Sequence, residues 1–541
     1  FGSSSILYPI YSAAAPMLGL AVALLYGTHT VVSTDDACLL QLHMNISETE
    51  PAGGRSLALA LQGGVHDPVF EEAFHTKVHG FLVIVGVICA LLWAIDMCGL
   101  QCPIQSRRAG QFVYLSTSVF VCAGQSMLLT VSLPLANVLG YSAAASGVLT
   151  SCTSLGGLLA QGIVSLFFAQ SELARSPHLL RLCVAMCVFL QAMFHALFVG
   201  SLSLQTSPTA IWYLLIFARC GGGFFAGLSS VTASFMALQV TPASEILDLQ
   251  TANQACYNSG HFIGVVMSSM ALAAVQLSGA ETSMPEILEG AAAPVMLFVF
   301  LLVGLLAVIC LLVPRASDPM FAEESSETRM REKTADVDLD ELEESERRML
   351  FRTGLLYNFE RSTSVAAIEV ATTMISEVEF GMSPLTTGWI FGFIALGSVL
   401  SNVVVGCSPS DVRARSWMMV CQAGLAVILS PFMLDWWPWW SLYAADALIM
   451  TASNTANGIS DGVVLLSTTG KGDLSRQAYI NKKMFLLAIS RVLSAPFARG
   501  CITALGRNGY GATQFVITLV GFGSVFKLHR TVTQRKRAQT E

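Results

Sequence analysis

The chain has 541 residues, of which 54% are hydrophobic and 12% charged, and its formal net charge is −7. An ordinary soluble domain carries about 25% charge, so a mean hydropathy of +0.62 excludes a chain that hides its apolar surface in one water-soluble core. The negative charge lies mostly in loops and no long basic tract is present, which argues against a nucleic-acid partner. The 14 cysteines contain no CxxC pair and most sit within apolar runs, where cysteine behaves as a small hydrophobe, so neither a zinc site nor a disulfide framework is indicated.

A helix needs roughly 20 apolar residues to cross a bilayer. Runs of that kind recur from Ser4 to Lys527. The first two, near 6–32 and 78–98, enclose an acidic loop with Asp35, Asp36, Glu48, Glu50, Asp67, Glu71 and Glu72. Residues 1–112 are therefore expected to form a transmembrane hairpin, and the start at Phe1 suggests a fragment or a processed terminus. Six runs follow, near 113–138, 147–169, 182–204, 210–239, 250–276 and 293–314, giving a first half over 113–314. A charged linker occupies 315–349, with an acidic stretch from Glu323 to Glu346. Six more runs, near 353–377, 385–406, 416–434, 439–466, 483–503 and 512–527, give a second half over 350–527, and a basic tail covers 528–541. The expected total is about 14 spans by the length rule.

Lys and Arg stay on the cytosolic side of a membrane. Alternate loops hold nearly all of them, from Arg107 and Arg108 through Lys482, Lys483 and the basic tail, while the opposite loops hold only Arg55, Lys77 and Arg507. Both termini and the linker are thus expected in the cytosol. The Asn45-Ile46-Ser47 sequon then faces away from it, as do Trp436, Trp437, Trp439 and Trp440, which suit an interfacial aromatic belt.

Ionisable and strongly polar groups within spans are costly and mark pathways or partners. Gln254, Asn258 and His261 share one helix face at i, i+4, i+7, and Asn454, Asn457 and Asp461 do so at i, i+3, i+7 in the other half. Two such stripes suit an aqueous cavity between the halves. Arg219 precedes Cys220-Gly221-Gly222-Gly223, a sequence that permits close helix approach beside a permanent charge. With Arg491 these residues form the expected substrate site, and Glu369 is the candidate for proton coupling. Arg361 lies two helical turns before Glu369, broadly on its side but out of direct reach. The spans carry no nucleophile with a base, no paired-His metal motif and no P-loop, so neither an enzyme, a metal site, a cofactor nor ATP-driven pumping is expected.

Two sets of six spans about a long polar loop is the plan of major-facilitator transporters. Over roughly 113–527 the motifs sharpen that reading. Ile368-Glu369-Val370, Phe380-Gly381-Met382-Ser383-Pro384, Asn402-Val403-Val404-Val405-Gly406, Leu474-Ser475-Arg476-Gln477-Ala478-Tyr479 and Ser490-Arg491-Val492 resemble the vacuolar phosphate transporters of plants, in which the major-facilitator domain follows an SPX domain. Gly140-Tyr141, Ser146-Gly147-Val148 and Arg219-Cys220-Gly221-Gly222 resemble the same group and its lysosomal relatives. Ala169 to Arg175 stands in place of the superfamily's Asp-Arg-x-Gly-Arg signature, and Thr232-Ala233-Ser234-Phe235 in place of the family's arginine pair. The resemblance implies an all-α membrane protein of major-facilitator fold, here with an extra N-terminal hairpin. It would be a monomer in the lipid bilayer of a vacuole, lysosome or plasma membrane, moving a small polar or anionic solute by alternating access, with protons as the candidate coupling ion. A channel of the same fold, or a non-transporting scaffold or sensor docking through its acidic linker, is the competing expectation.

Overall fold

The computed structural model describes residues 68–98, 106–141, 143–164, 177–204, 206–242, 245–277, 284–313, 342–408, 411–468 and 472–540. The first expected span, the Asn45 sequon and most of the linker lie outside the described residues. The elements are α1 (Pro68–Cys98), α2 (Ser106–Ser126), α3 (Ser132–Val138), α4 (Ala143–Ile163), α5 (Pro177–Leu202), α6 (Pro208–Val240), α7 (Ile246–Leu277) and α8 (Met284–Leu312). After the linker come α9 (Glu344–Met374), α10 (Pro384–Gly406), α11 (Val412–Leu429), α12 (Trp439–Ser467) and α13 (Arg476–Thr540).

Local chemistry sets many of these boundaries. Ser207 caps α6 by accepting from the Ala210 amide at 3.3 Å, with Pro208 at the first helical position. The Phe380 to Pro384 motif is a junction of the same kind. A π-helical turn over Ile375–Glu379 ends α9, Gly381 takes the left-handed φ of 62°, and Ser383 caps α10 ahead of Pro384. In α13, Gly506 with φ 65° breaks one long helix into two arms, which are the last two expected spans. The second arm runs on to Thr540, so the expected basic tail is the end of a helix.

The bundle is polar inside and apolar outside. Arg219, Arg361, Asn358, Asp446 and Asn454 are all buried, whereas Phe393, Val404, Ile428 and Leu505 on the outer faces are each at least 66% exposed. Such an arrangement suits lipid as solvent. Among the described residues, seven helices are long and apolar enough by themselves to cross a membrane. The helices that fall short, α2, α4, α7, α9 and α12, carry the serines, glycines, amides and charges of the interior. The apolar criterion therefore passes over helices whose inner faces are polar.

Glycine decides how close α4 and α6 come. A Cβ on Gly223 would lie 2.0 Å from the Thr153 carbonyl oxygen, and one on Gly156 would lie 1.9 Å from that of Cys220. Gly221 and Gly222 press against Phe194 and His195 of α5 in the same way. Between the two sets of helices, α7 packs on α10 and α12, and α13 packs on α4. At the arginine-rich end of that seam, Arg415 pairs with Asp248 at 2.7 Å. On the outer flank, α1 lays Phe74, Val78, Phe81, Val85 and Leu92 toward α8 and α5, with Phe81 edge-on to Phe300 at 5.3 Å.

Candidate functional site

A cavity of about 90 Å³ lies between the two sets of helices. Its wall includes Tyr114, Gln125, Gln250, Gln254 and Tyr257 from the first set, and Arg361, Asn457, Tyr479, Lys483 and Arg491 from the second. The volume is well below the ~300–1,000 Å³ of pockets for drug-sized ligands, so the space as formed suits a small solute.

Two polar networks hold the wall. In one, Glu369 of α9 lies 2.6 Å from His261 Nε2 and 3.0 Å from Arg491 Nη2. The other nitrogen of His261 is 2.7 Å from Cys122 Sγ, and Arg491 Nη1 donates to Gln125 Oε1 at 2.9 Å. Helices α2, α7, α9 and α13 thus meet at one carboxylate. In the other network, Asp461 Oδ1 accepts from Asn358 and from the Tyr479 hydroxyl, each at 2.9 Å, while Oδ2 pairs with Lys483. Asn457 Nδ2 donates to Gln254 Oε1 at 3.0 Å, and Gln254 Nε2 donates to the Asn454 and Asn258 oxygens at 3.4 Å.

Tyr257 lies between two guanidinium groups. Arg361 and Arg491 sit 5.5 and 5.7 Å from its ring centroid, a geometry in which the ring face attracts both cations. Arg491 is neutralised by Glu369. Arg361 instead donates through Nε to Asn454 Oδ1 at 2.8 Å and through Nη2 to the same oxygen, and among the described residues no carboxylate pairs with it. Arg361 is therefore a buried cation at the wall with no direct ion pair, acted on from a distance by Asp461, Glu360 and Glu369.

Several expected site residues come together here. Gln254, Asn457 and Arg491 line the cavity, and Asn258, His261, Asn454, Asp461 and Glu369 stand behind it as hydrogen-bonding partners. Arg219 stands apart. The expected span over 113–138 breaks between α2 and α3, and Arg219 donates to the Gly124 carbonyl at 2.7 Å and to that of Gln125 at 3.5 Å. An unbroken helix would have engaged those oxygens with its own amides. The residue thus holds the break that places the Gln125 side chain against Arg491. Arg219→Gln is expected to destabilise the bundle by about 1.5–3 kcal/mol, the worth of hydrogen bonds from a charged donor. Solute affinity per folded molecule should stay within a few-fold of the wild type, and unfolding and binding measured on one purified sample separate the two effects.

Reading the sequence alone missed Lys483, counted there as a loop cation. Helix α13 begins at Arg476, capped by Ser475, so Tyr479, Lys483 and Arg491 repeat at turn spacing along one face. The signal was present in the Ser475 cap and that spacing. Tyr257 and Gln125 carried no signal of charge or motif.

No known protein-family profile and no curated protein matches the sequence. Solved structures do match. The proton:xylose symporter XylE bound to 6-bromo-6-deoxy-D-glucose is 12% identical, over 78% of this chain and 94% of that one, with a TM-score of 0.53. The transporter FucP in its outward conformation is 13% identical over 78% and 98% of the two chains, with a TM-score of 0.52. The human organic anion transporter MFSD10 is 14% identical over 77% and 99%, with a TM-score of 0.50. At such identities the likeness is one of fold: this chain is an all-α membrane protein with the major-facilitator fold.

Proposed function

We propose that the chain is a secondary transporter that moves a small anionic solute through the Arg361–Arg491–Lys483 cavity by alternating access. The observation that carries this reading is Arg361, a buried guanidinium at the cavity wall that contacts an amide oxygen and an aromatic face and makes no ion pair with a carboxylate among the described residues. A buried cation without a direct ion pair is costly, and an anionic solute supplies that contact. The sugar symporters and the organic anion transporter that share the fold support transport as the activity.

In this reading the solute competes with Glu369 for Arg491, and the released carboxylate is free to take a proton. His261 and Gln254 contribute from α7, and Asn454, Asn457 and Asp461 shape the opposite wall. The protein works as a monomer, with the arginine-rich loops in the cytosol, in a vacuolar, lysosomal or plasma membrane. Resemblance to vacuolar phosphate transporters makes inorganic phosphate the first anion to offer. The experiment is flux into proteoliposomes carrying the full chain, with phosphate, other inorganic anions, carboxylates, sugars and amino acids offered with and without a pH gradient. Saturable uptake of an anion in preference to neutral solutes is the expected result. Preference for a neutral sugar would remove the anion assignment, and no uptake of any solute would favour the scaffold reading.

A further inference from the structure

Away from the cavity, Asp446 of α12 is fully buried among Ile368, Ala371, Leu442, Ala445 and Ile449. One of its oxygens, Oδ2, accepts from the Thr372 hydroxyl at 2.6 Å, while Oδ1 has no hydrogen-bond partner. Among the described residues no Lys, Arg or His pairs with it. Arg507, the cation that faces it electrostatically, is spent elsewhere: it donates to the Met433 carbonyl at 2.7 Å and to Ser441 Oγ at 3.4 Å, lies over the Phe380 ring, and is shared with Glu379 and Asp435. The other titratable groups facing Asp446 are Tyr443 on its own helix and Tyr510 on α13. Tyr510 faces Asp446 electrostatically and has Gln514 and Thr372 as hydrogen-bond neighbours, none of them in close geometry with its hydroxyl. Asp446 Oδ1 is thus a buried carboxylate oxygen without a partner, facing the Tyr510 side chain.

The contrast with Glu369 and Asp461 is direct, since both of those are saturated by cations and hydrogen bonds. A carboxylate held by a single hydrogen bond in an apolar cluster is costly unless a cation or a proton neutralises it. A proton needs no added volume, and it turns Oδ1 into a donor from which the Tyr510 oxygen can accept. We infer that Asp446 is a proton-binding site, separate from the solute cavity and loaded in the conformation described here. The proton is lost to bulk water when the bundle next opens, and the carboxylate then seeks Tyr510 or Arg507. Thr372 lies one turn beyond Glu369 on α9, and the π-helical turn starts three residues later, with Ser376 Oγ 2.8 Å from the Tyr443 hydroxyl. Loading of Asp446 thereby bears on the helix that carries Glu369. That coupling role rests on the transport reading, whereas the proton itself does not.

Infrared difference spectra of the purified full chain between acidic and alkaline buffer test the inference. A protonated-carboxyl stretch is expected in the wild type and in Glu369→Gln, absent in Asp446→Asn and shifted in Thr372→Val, which removes the donor to Oδ2. A band unchanged in a folded Asp446→Asn, or no such band in the wild type, overturns it. In proteoliposomes the stimulation of uptake by a pH gradient should fall at least 10-fold in Asp446→Asn, and full stimulation would overturn the coupling role. A wild type that moves no solute would sink the transport reading while the infrared band still decides the proton site.

Discussion

Arg361→Gln is expected to weaken solute binding by on the order of 100-fold, since truncating one side of a buried charge contact costs about 2–5 kcal/mol. Glutamine keeps much of the side-chain length and a donor for Asn454, so the change isolates the charge. Arg361→Lys should recover only part of the loss, because an ammonium lacks the planar fork that holds Asn454 while facing the cavity. Equilibrium binding of the anion identified by flux, measured on purified protein, is the direct readout. A variant that binds as tightly as the wild type would make Arg361 a prop for Asn454 and move the anion site toward Lys483.

Lys483→Met should have the largest effect on stability. Its ammonium is the charge that balances Asp461, whose side chain is 3% exposed. Breaking a buried pair by removing one partner costs about 3–5 kcal/mol, because the other charge is left uncompensated. Adding Asp461→Asn to Lys483→Met should restore most of that loss, as the orphaned charge then disappears while Tyr479 and Asn358 keep a polar neighbour. Thermal unfolding of the single and double variants in one detergent measures the rescue. Equal unfolding of the single variant and the wild type would mean that water or rearrangement replaces the pair.

The plan of the helices was legible because each apolar run is bounded by charge, proline or glycine, and those residues do stop the helices: Ser207-Pro208, Ser383-Pro384 and Gly506 are examples. The facing stripes were legible too, since helical spacing put Gln254 beside Asn258 and Asn454 beside Asn457, and the folded chain joins them. Partnership across the bundle was not legible. Arg219 and Arg361 look alike in sequence, each a lone arginine in a span, yet one closes a helix break with backbone carbonyls and the other faces a cavity. The break itself, between Ser126 and Ser132, has no glycine or proline within it, because a side chain from another helix rather than a local residue satisfies the freed carbonyls.

The seam between α7 and α12 has a mechanical consequence. Its contacts are neutral amides, Gln254 with Asn454 and Asn457, beside the smooth faces of Gly458 and Gly462, where a Cβ would lie 3.3 Å from Thr251 Cα and 2.9 Å from Leu247 Cα. Each amide both donates and accepts, so the contacts of this seam carry no fixed charge. The ionic contacts at Asp248–Arg415 and His261–Glu369, by contrast, tie α7 to α11 and α9 through charge. In the proposed alternating-access cycle, substitutions at these ionic contacts should therefore alter the rate of transport far more than substitutions along the amide seam.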